Sequence, residues 1–143
     1  MATIHAVSIS TVKHQRKEEV DEAELRVEHG LVGDAHAGSD RQVSLLALEA
    51  IERMREKMPE LVPGDFAENL TTTGLALEQV AVGARLRVGS DILLEITQIG
   101  KVCHRACNIR KIVGDCVMPR EGIFARVLQG GTVRKGDEIV FAE

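Results

Sequence analysis

All three cysteines of the chain lie in one short stretch, GKVCHRACNIRKIVGDC, which spans residues 100–116. A histidine, His104, directly follows the first of them, Cys103. The thiolate is the form of cysteine that attacks electrophiles and binds metals, and nearby positive charge favours it. The stretch therefore has the residue types for a reactive thiol or for a metal site.

The spacing of the cysteines favours the reactive thiol. Cys103, Cys107 and Cys116 form the pattern C-x3-C-x8-C, which is neither a C-x2-C zinc motif nor a standard iron–sulfur run. Three thiolates and His104 could still satisfy a zinc ion if the loop folded back. We therefore expect one reactive cysteine, and a zinc- or iron-binding regulatory module is the alternative.

Positive charge is concentrated in the same stretch. Between residues 101 and 111 there are four basic residues and no acidic one, although the whole chain has a net charge of −4. These residues are Lys101, Arg105, Arg110 and Lys111. Arginine and lysine supply charge-assisted donors that suit phosphate or another compact anion. The alternative is a solvated basic surface.

Two further motifs contain polar side chains that could contribute to a site. His36 lies in GDAHAG, and Arg41 follows it by five residues. The histidine could be a ligand, a base or a hydrogen-bonded structural group. Asn69, in GDFAENL, could either hydrogen-bond a heterocycle or form a turn. Its neighbour Glu68 is expected to be solvated or to act as a local cap.

The composition limits the possible functions. The 143 residues predict a single domain over residues 1–143, with 44% apolar and 28% charged residues. Aromatic residues make up only 2%, and a net charge of −4 gives no general attraction for nucleic acids or anionic membranes. We expect no membrane span and no signal peptide, so the three cysteines are predicted to be reduced in the cytoplasm.

In the first half of the chain the patterns predict four elements. Residues 3–10 alternate as a strand, whereas the polar residues 13–30 predict a solvated hairpin or loop. Residues 30–42 are rich in glycine and aspartate and predict a loop. Residues 43–59, VSLLALEAIERMREKMP, have apolar residues at helical spacing, with Ser44 as a possible cap and Pro59 at the end.

The second half predicts mainly strands. GDFAENLTTTGL indicates a turn and a short strand, and ARLRVG with DILLEITQI indicates a hairpin around Gly89 and Ser90. NIRKIV predicts a short helix, and IFARVLQGG and DEIVFAE predict two more strands. Together the patterns predict a mostly β, barrel-like domain with helices.

Several of these motifs, in this order, resemble the MOSC domain family, which is named for the C-terminal domain of molybdenum cofactor sulfurase. The matching segments are GDAHAGSDRQVSLL, PGDFAENLTTTGL, VGARLRVGSDILLEITQIGKVCH and GIFARVLQGGTVRKGDEI. They cover the chain from about Gly30 to Ile139. The resemblance implies a β-rich barrel similar to the small barrel domain of pyruvate kinase.

The resemblance also implies functional roles. Cys103 occupies the position of the family's characteristic cysteine, viewed as a sulfur carrier or as a molybdenum ligand when the pterin cofactor is bound. His36, Arg41 and Asn69 match motifs proposed to line the same pocket. Lys101, Arg105 and Arg110 would then hold the pterin phosphate. Molybdenum cofactor biosynthesis proteins or molybdoenzymes would be the partners.

The chain departs from the family pattern in two respects. Cys107 and Cys116 are outside the general motif and indicate a subgroup feature. The pyridoxal-phosphate desulfurase domain of full sulfurases does not fit within 143 residues, so we do not expect this chain to bind pyridoxal phosphate. A third interpretation, beside the sulfur carrier and the zinc or iron module, is a small molybdenum-dependent reductase of N-oxygenated compounds.

Overall fold

A computed structural model describes residues 2–12, 16–39, 41–100 and 121–142. In these residues the chain forms eleven strands, one α-helix and one 3-10 turn. The strands are β1 (Thr3–Ile9), β2 (Glu18–Val20), β3 (Glu22–Arg26), β4 (Gly30–Leu31), β5 (Val43–Ala47), β6 (Leu70–Thr73), β7 (Arg85–Val88), β8 (Ile92–Ile99), β9 (Ile123–Gln129), β10 (Gly131–Arg134) and β11 (Ile139–Ala142). The helix is α1 (Leu48–Met54), and the 3-10 turn is Leu77–Gln79.

Eight of the strands form one sheet in the order β11-β7-β8-β9-β5-β6-β1-β2. A smaller sheet has the order β10-β3-β4. Within the large sheet β5 and β6 are parallel, and the other neighbouring strands are antiparallel. A parallel pair requires a crossover connection, and α1 lies in the chain between these two strands.

The large sheet curls so that the start of β1, next to one edge of the sheet, contacts the residues just before the opposite edge strand β11. Thr3 at the start of β1 forms an isolated antiparallel bridge with Glu138, just before β11. The Ile4 amide donates to the Asp137 carbonyl at 2.8 Å, and the Ile139 amide donates to the Ala2 carbonyl at 3.0 Å. The prediction of a mostly β domain is therefore confirmed. An isolated bridge, and not a continuous strand pair, joins the two sides of the large sheet among the described residues.

The apolar residues form two cores on opposite faces of the central strands. Leu45 of β5 packs in the larger core inside the curled sheet. Its neighbour Leu46 points the other way, toward a second core made by α1, Phe66 and Phe124. Side chains alternate between the faces of a strand, so β5 is buried on both sides.

The predicted helix over residues 43–59 is wrong in its first five residues. These residues form the central strand β5, and α1 covers only Leu48–Met54. Ser44 is not a helix cap, because it lies within β5 and hydrogen-bonds to Asn69. A short buried run of Val and Leu fits either a helix or a strand, and here the pairing partners on both sides decide for the strand.

Most other predicted elements are confirmed, including the first strand and the hairpin at Gly89 and Ser90. The loop predicted for residues 30–42 is wrong in its first two residues, which form β4 and pair with β3. Residues 13–30 were predicted to be a solvated hairpin or loop. Strand β3 there does pair antiparallel with β4, but the prediction of solvation is wrong for Lys17, which is buried. The NIRKIV helix lies outside the described residues. None of the helical segments in the described ranges is long and apolar enough to cross a membrane.

Candidate functional site

The loop that follows β4 packs against the end of β1. The Ser10 amide donates to Asp34 Oδ1 at 3.0 Å, and the Ala35 amide donates to the Ser10 carbonyl at 2.7 Å. Gly33 has a φ of +88°, a backbone conformation that glycine adopts without strain. This turn brings the carboxylate of Asp34 under the backbone of His36.

A buried ion pair fixes this loop. Lys17 Nζ lies 2.8 Å from Asp34 Oδ1, and the two side chains are 1% and 0% exposed. The His36 amide donates to the other carboxylate oxygen of Asp34 at 3.1 Å. Burial by itself would raise the pKa of Asp34. Hydrogen bonds from Lys17 and from the backbone, together with the Lys17 charge, outweigh burial and lower this pKa below its ordinary value.

His36 lies at the edge of this ion pair with its side chain 25% exposed. Its Nδ1 is 3.3 Å from Lys17 Nζ. Its carbonyl accepts a hydrogen bond from the Ser39 hydroxyl at 2.6 Å, and the same hydroxyl oxygen accepts from the Arg41 amide at 3.1 Å. Ser39 therefore couples the backbone positions of His36 and Arg41, the two candidate residues of the loop.

Arg41 connects the loop to β9. Its guanidinium carbon lies 5.5 Å from the centre of the Phe124 ring, within the range of a cation–π contact. Phe124 is the second residue of β9, and the chain reaches β9 directly after the region that contains the cysteines.

Asn69 directly precedes β6 and is fully buried. Its Oδ1 is 3.0 Å from the Ser44 amide and 3.1 Å from the Ser44 hydroxyl. Its Nδ2 donates to the Ser8 carbonyl at 3.1 Å. The amide thus connects β1, β5 and β6, which is a bracing role. A contact between Asn69 and a heterocycle stays a prediction.

Glu68 is buried, so the expectation that it is solvated is wrong, whereas a local capping role is confirmed. It accepts hydrogen bonds from the Gly64 amide at 3.0 Å, the Thr71 hydroxyl at 2.9 Å and the Phe66 amide at 3.3 Å. Burial raises the pKa of Glu68 in spite of these donors, because it disfavours the charged carboxylate.

A row of neighbouring residues crosses the sheet between the two candidate regions. Phe124 pairs with Ser44, Ser44 hydrogen-bonds to Asn69, and the Ser8 amide donates to the Asn69 carbonyl at 2.8 Å. Two residues beyond Ser8, Ser10 contacts Asp34. His36, Arg41 and Asn69 are therefore connected through a continuous network of contacts.

The other predicted site residues lie outside the described residues. They are Cys103, Lys101, Arg105 and Arg110, together with His104, Cys107 and Cys116. The Gly100 amide donates to the Gly122 carbonyl at 2.7 Å, so the chain leaves β8 and enters β9 at adjacent positions. A pocket shared by Cys103, His36, Arg41 and Asn69 stays a prediction. Within the described ranges, no three His, Cys, Asp or Glu side chains are grouped so that they could hold a metal ion.

Sequence reasoning missed Lys17 and Asp34. Asp34 precedes His36 by two residues in a glycine-rich loop. This position could have predicted that its carboxylate holds the loop in place. Lys17 lies in a run of charged residues, and nothing in that run distinguishes it from Arg16, which is exposed.

The comparisons with known proteins agree with this architecture. The MOSC domain profile matches residues 32–140. A protein named "Reductase" from Gibberella moniliformis (strain M3125 / FGSC 7600) is 30% identical over 127 residues. That match covers 80% of this chain and only 23% of the reductase, so the chain spans about a quarter of the length of that relative.

Solved structures show the same fold. The YuaD protein from Bacillus subtilis has a TM-score of 0.80 at 20% identity, over 96% of this chain and 93% of that chain. YiiM from Geobacillus stearothermophilus has a TM-score of 0.74 at 20% identity, over 100% and 76%. YiiM from Escherichia coli has a TM-score of 0.73 at 22% identity, over 100% and 70%. The chain therefore belongs to the MOSC domain family, which is associated with the molybdenum cofactor.

Proposed function

We propose that this domain binds the molybdenum cofactor or a precursor of it, with Cys103 as a sulfur carrier or molybdenum ligand. The observation that supports this proposal best is the network that joins His36, Arg41 and Asn69 across the sheet. The network includes Phe124, which follows the cysteine-containing region in the chain.

The described residues suit an anionic pterin. Arg41 provides a charge-assisted donor, and its contact with Phe124 limits the orientations of the guanidinium. Asp34, the buried carboxylate in the same loop, is already paired with Lys17, so it would not repel an anion. Lys101, Arg105 and Arg110 are the residues that would hold the phosphate. Molybdenum, when bound, would be ligated by soft sulfur donors such as the Cys103 thiolate.

Sulfur carriage needs only one reactive thiol. The Cys103 thiolate would attack the outer sulfur of a persulfide donor, forming a new S–S bond as the S–S bond of the donor breaks. The donor would leave as a thiolate, and Cys103 would hold the persulfide for transfer to an acceptor. Molybdenum cofactor biosynthesis proteins or molybdoenzymes would be the partners in this reaction.

The test uses protein produced in a host that makes the cofactor. Molybdenum content and the fluorescence of oxidised pterin are measured for the wild type, C103S, C107S and C116S. We expect molybdenum and pterin in the wild type and in the two control variants, and loss of molybdenum in C103S. Zinc or iron bound in place of molybdenum, and lost in every cysteine variant, would support the metal-binding module instead.

A second candidate function is reduction of N-oxygenated compounds. It is favoured by the 30% identity with a protein whose printed name is "Reductase". Protein loaded with cofactor would be assayed with hydroxylamines and a chemical electron donor. Turnover that depends on Cys103 would favour the reductase, whereas persulfide on Cys103 without turnover would favour the carrier.

A further inference from the structure

Arg41 lies on the face of the sheet opposite to the one that strand alternation predicts. Val43, the first residue of β5, packs in the larger core. Because successive side chains of a strand point to opposite faces, a longer β5 would direct Arg41 to the same core as Val43. The Arg41 guanidinium carbon instead lies 5.5 Å from the centre of the Phe124 ring, and Phe124 belongs to the second core. The chain therefore departs from strand geometry just before Val43.

Gln42 occupies the place where the strand ends. The ladder between β5 and β9 begins at Val43, and the same register would place Arg41 opposite Val127. Val127 has other partners: its amide donates to Gln42 Oε1 at 3.1 Å, and its carbonyl accepts from the Glu28 amide at 3.1 Å. The Gln42 side chain thus takes a backbone position in the ladder, and Arg41 is left out of it.

Hydrogen bonds hold the Gln42 side chain at both ends, and the residue is 8% exposed. Besides the bond that its oxygen accepts from Val127, its Nε2 donates to Glu28 Oε2 at 3.2 Å. The other carboxylate oxygen of Glu28 lies 3.5 Å from Arg126 Nη1. Since the amide nitrogen only donates and the amide oxygen only accepts, these partners determine a single orientation of the amide group.

The backbone that leads into β4 is adapted to this contact. Glu28 has a φ of +54°, in the left-handed region that favours glycine. Such strain persists where the surrounding structure imposes it, often at functional sites. Gly30 has a φ of +115°, and a Cβ there would lie 2.3 Å from the Gln42 carbonyl oxygen. The start of β4 can therefore approach Gln42 this closely only with glycine at position 30.

We infer that Gln42 is a positioning residue that turns Arg41 toward a phosphate group of the ligand. Gln42 ends the ladder with β9, which lets the guanidinium reach the face that contains Phe124. No described residue accepts a hydrogen bond from this guanidinium or forms an ion pair with it. Its donors therefore suit a compact anion, and a guanidinium can bind phosphate through two parallel hydrogen bonds. Gln42 acts on the ligand through Arg41 and does not need to touch it.

The identity of the anion as a pterin phosphate rests on the proposed function, whereas the direction of Arg41 does not. The direction can be measured without a ligand, and the affinity is measured separately. A wild type that does not bind a pterin phosphate would contradict the proposed function. An Arg41 side chain that keeps its position without Gln42 would contradict the inference.

Proton and nitrogen NMR of the Arg41 side chain measures its position. An aromatic ring shields the protons that lie over its face, so we expect the Arg41 signals, assigned by their loss in R41K, to lie upfield in the wild type. Q42M keeps the length of the side chain and removes both hydrogen bonds, and we expect it to abolish this shift. Q129M is the matched control, because Gln129 is an exposed glutamine of the same strand, β9. Unchanged Arg41 signals in folded Q42M would overturn the inference.

E28A is a second variant, which decides the question if Q42M does not fold. The Glu28 side chain is 52% exposed, so its removal should leave the fold intact, yet it removes the acceptor of Gln42 Nε2. We expect a smaller change of the Arg41 signals in the same direction. E24A is its control, since Glu24 is 53% exposed and pairs with Arg26 elsewhere on the surface. Arg41 signals that are the same in E28A and E24A would count against a role of Gln42.

A double-mutant cycle separates positioning from a general effect on the fold. Titration with a pterin phosphate is performed on the wild type, R41A, Q42M and R41A/Q42M. We expect Q42M to weaken binding by about threefold to tenfold in the wild-type background and to have no further effect once Arg41 is absent. Q129M should bind like the wild type. A general effect on the fold would weaken both backgrounds by the same factor, and that result would overturn the inference.

Discussion

At the scale of single residues, the buried charges are held in different ways. Lys17 and Asp34 neutralise each other, whereas Glu68 accepts hydrogen bonds only from neutral donors. Removing one member of a buried ion pair leaves the other charge without compensation. We therefore predict that K17M lowers the free energy of unfolding by about 3–5 kcal/mol.

Urea unfolding measures this effect, and R26M is the matched control. Arg26 forms its ion pair with Glu24 on the surface, where such pairs contribute about 1 kcal/mol or less. A K17M protein as stable as R26M would show that the buried pair does not hold the loop in place.

Asp34 should make the free energy of unfolding decrease at acidic pH. Its folded pKa lies below the ordinary value of 3.8, so its contribution is present above that pH and is lost as pH falls through the folded pKa. We predict that the free energy of unfolding of the wild type decreases more steeply than that of D34N when the pH is lowered below about 3.8. Urea titrations at several pH values measure the two slopes. Parallel slopes would contradict the prediction.

Glu68 should have the opposite effect on the pH dependence of the free energy of unfolding. Its folded pKa is raised above 4.5, so the folded state binds the proton more tightly than the unfolded chain does. Its contribution is present below 4.5 and is lost as pH rises through the folded pKa. We predict that the stability advantage of the wild type over E68Q shrinks as the pH rises in this window. An advantage that grows with pH would show that the three donors outweigh burial.

The sequence indicated the candidate site residues better than the residues that hold them in place. His36, Arg41 and Asn69 were found because they lie in short polar motifs between apolar segments. Lys17 was missed because burial depends on which segments pack over a residue, and that information is not local. The position of Glu68 is equally non-local, since Gly64 and Thr71 on either side donate to it.

At the scale of elements, β5 and α1 show the limit of periodicity. Residues 43–47 are all buried, so an apolar run there has no alternation to reveal a strand. The helical spacing of Leu48, Ile51 and Met54 is real, and it extends by chance into the strand through Leu45. The hairpin of β7 and β8 was predictable, because Gly89 and Ser90 mark its turn locally.

The turn that precedes β6 meets the Lys17 backbone very closely. Gly64 has a φ of +94°, and a Cβ there would lie 2.2 Å from the Lys17 carbonyl oxygen. Its own carbonyl accepts from the Lys17 amide at 2.8 Å. Gly136 has the same φ, with no heavy atom within 4 Å of an added Cβ.

We predict that G64A lowers the free energy of unfolding by about 1–3 kcal/mol more than G136A does. Both substitutions cause the same backbone strain, so the difference isolates the clash with Lys17. Thermal or urea unfolding of the two variants measures it. Equal destabilisation would mean that the turn can move away from Lys17 without cost.

At the scale of the whole molecule, the curled sheet is the part of the chain that the comparisons with solved structures support. Structures with TM-scores from 0.73 to 0.80 share the fold at 20–22% identity, which is evidence for the fold alone. The relative named as a reductase is about four times as long as the matched region.

The charge of the chain is unevenly distributed, and this predicts where a phosphate group would bind. The net charge is −4, whereas residues 101–111 contain four basic residues and no acidic one. A phosphate-bearing ligand would be repelled by the overall charge and attracted by this segment. If Arg105 or Arg110 holds the phosphate, replacing that arginine by alanine should weaken binding of a pterin phosphate by about 1.5–3 kcal/mol.

The salt dependence of the affinity for a pterin phosphate distinguishes a phosphate-binding segment from a solvated basic surface. Raising the salt concentration should weaken the wild type more than the R105A or R110A variant, because the variant lacks a charge that salt would screen. R26A is the control, since it removes one exposed charge elsewhere and should change neither the affinity nor its salt dependence. Folding stability should change little in R26A, because the charge of Arg26 is exposed, and we expect the same of R105A and R110A. Titrations at two salt concentrations measure these effects, and equal affinities throughout would assign the basic segment to an ordinary solvated surface.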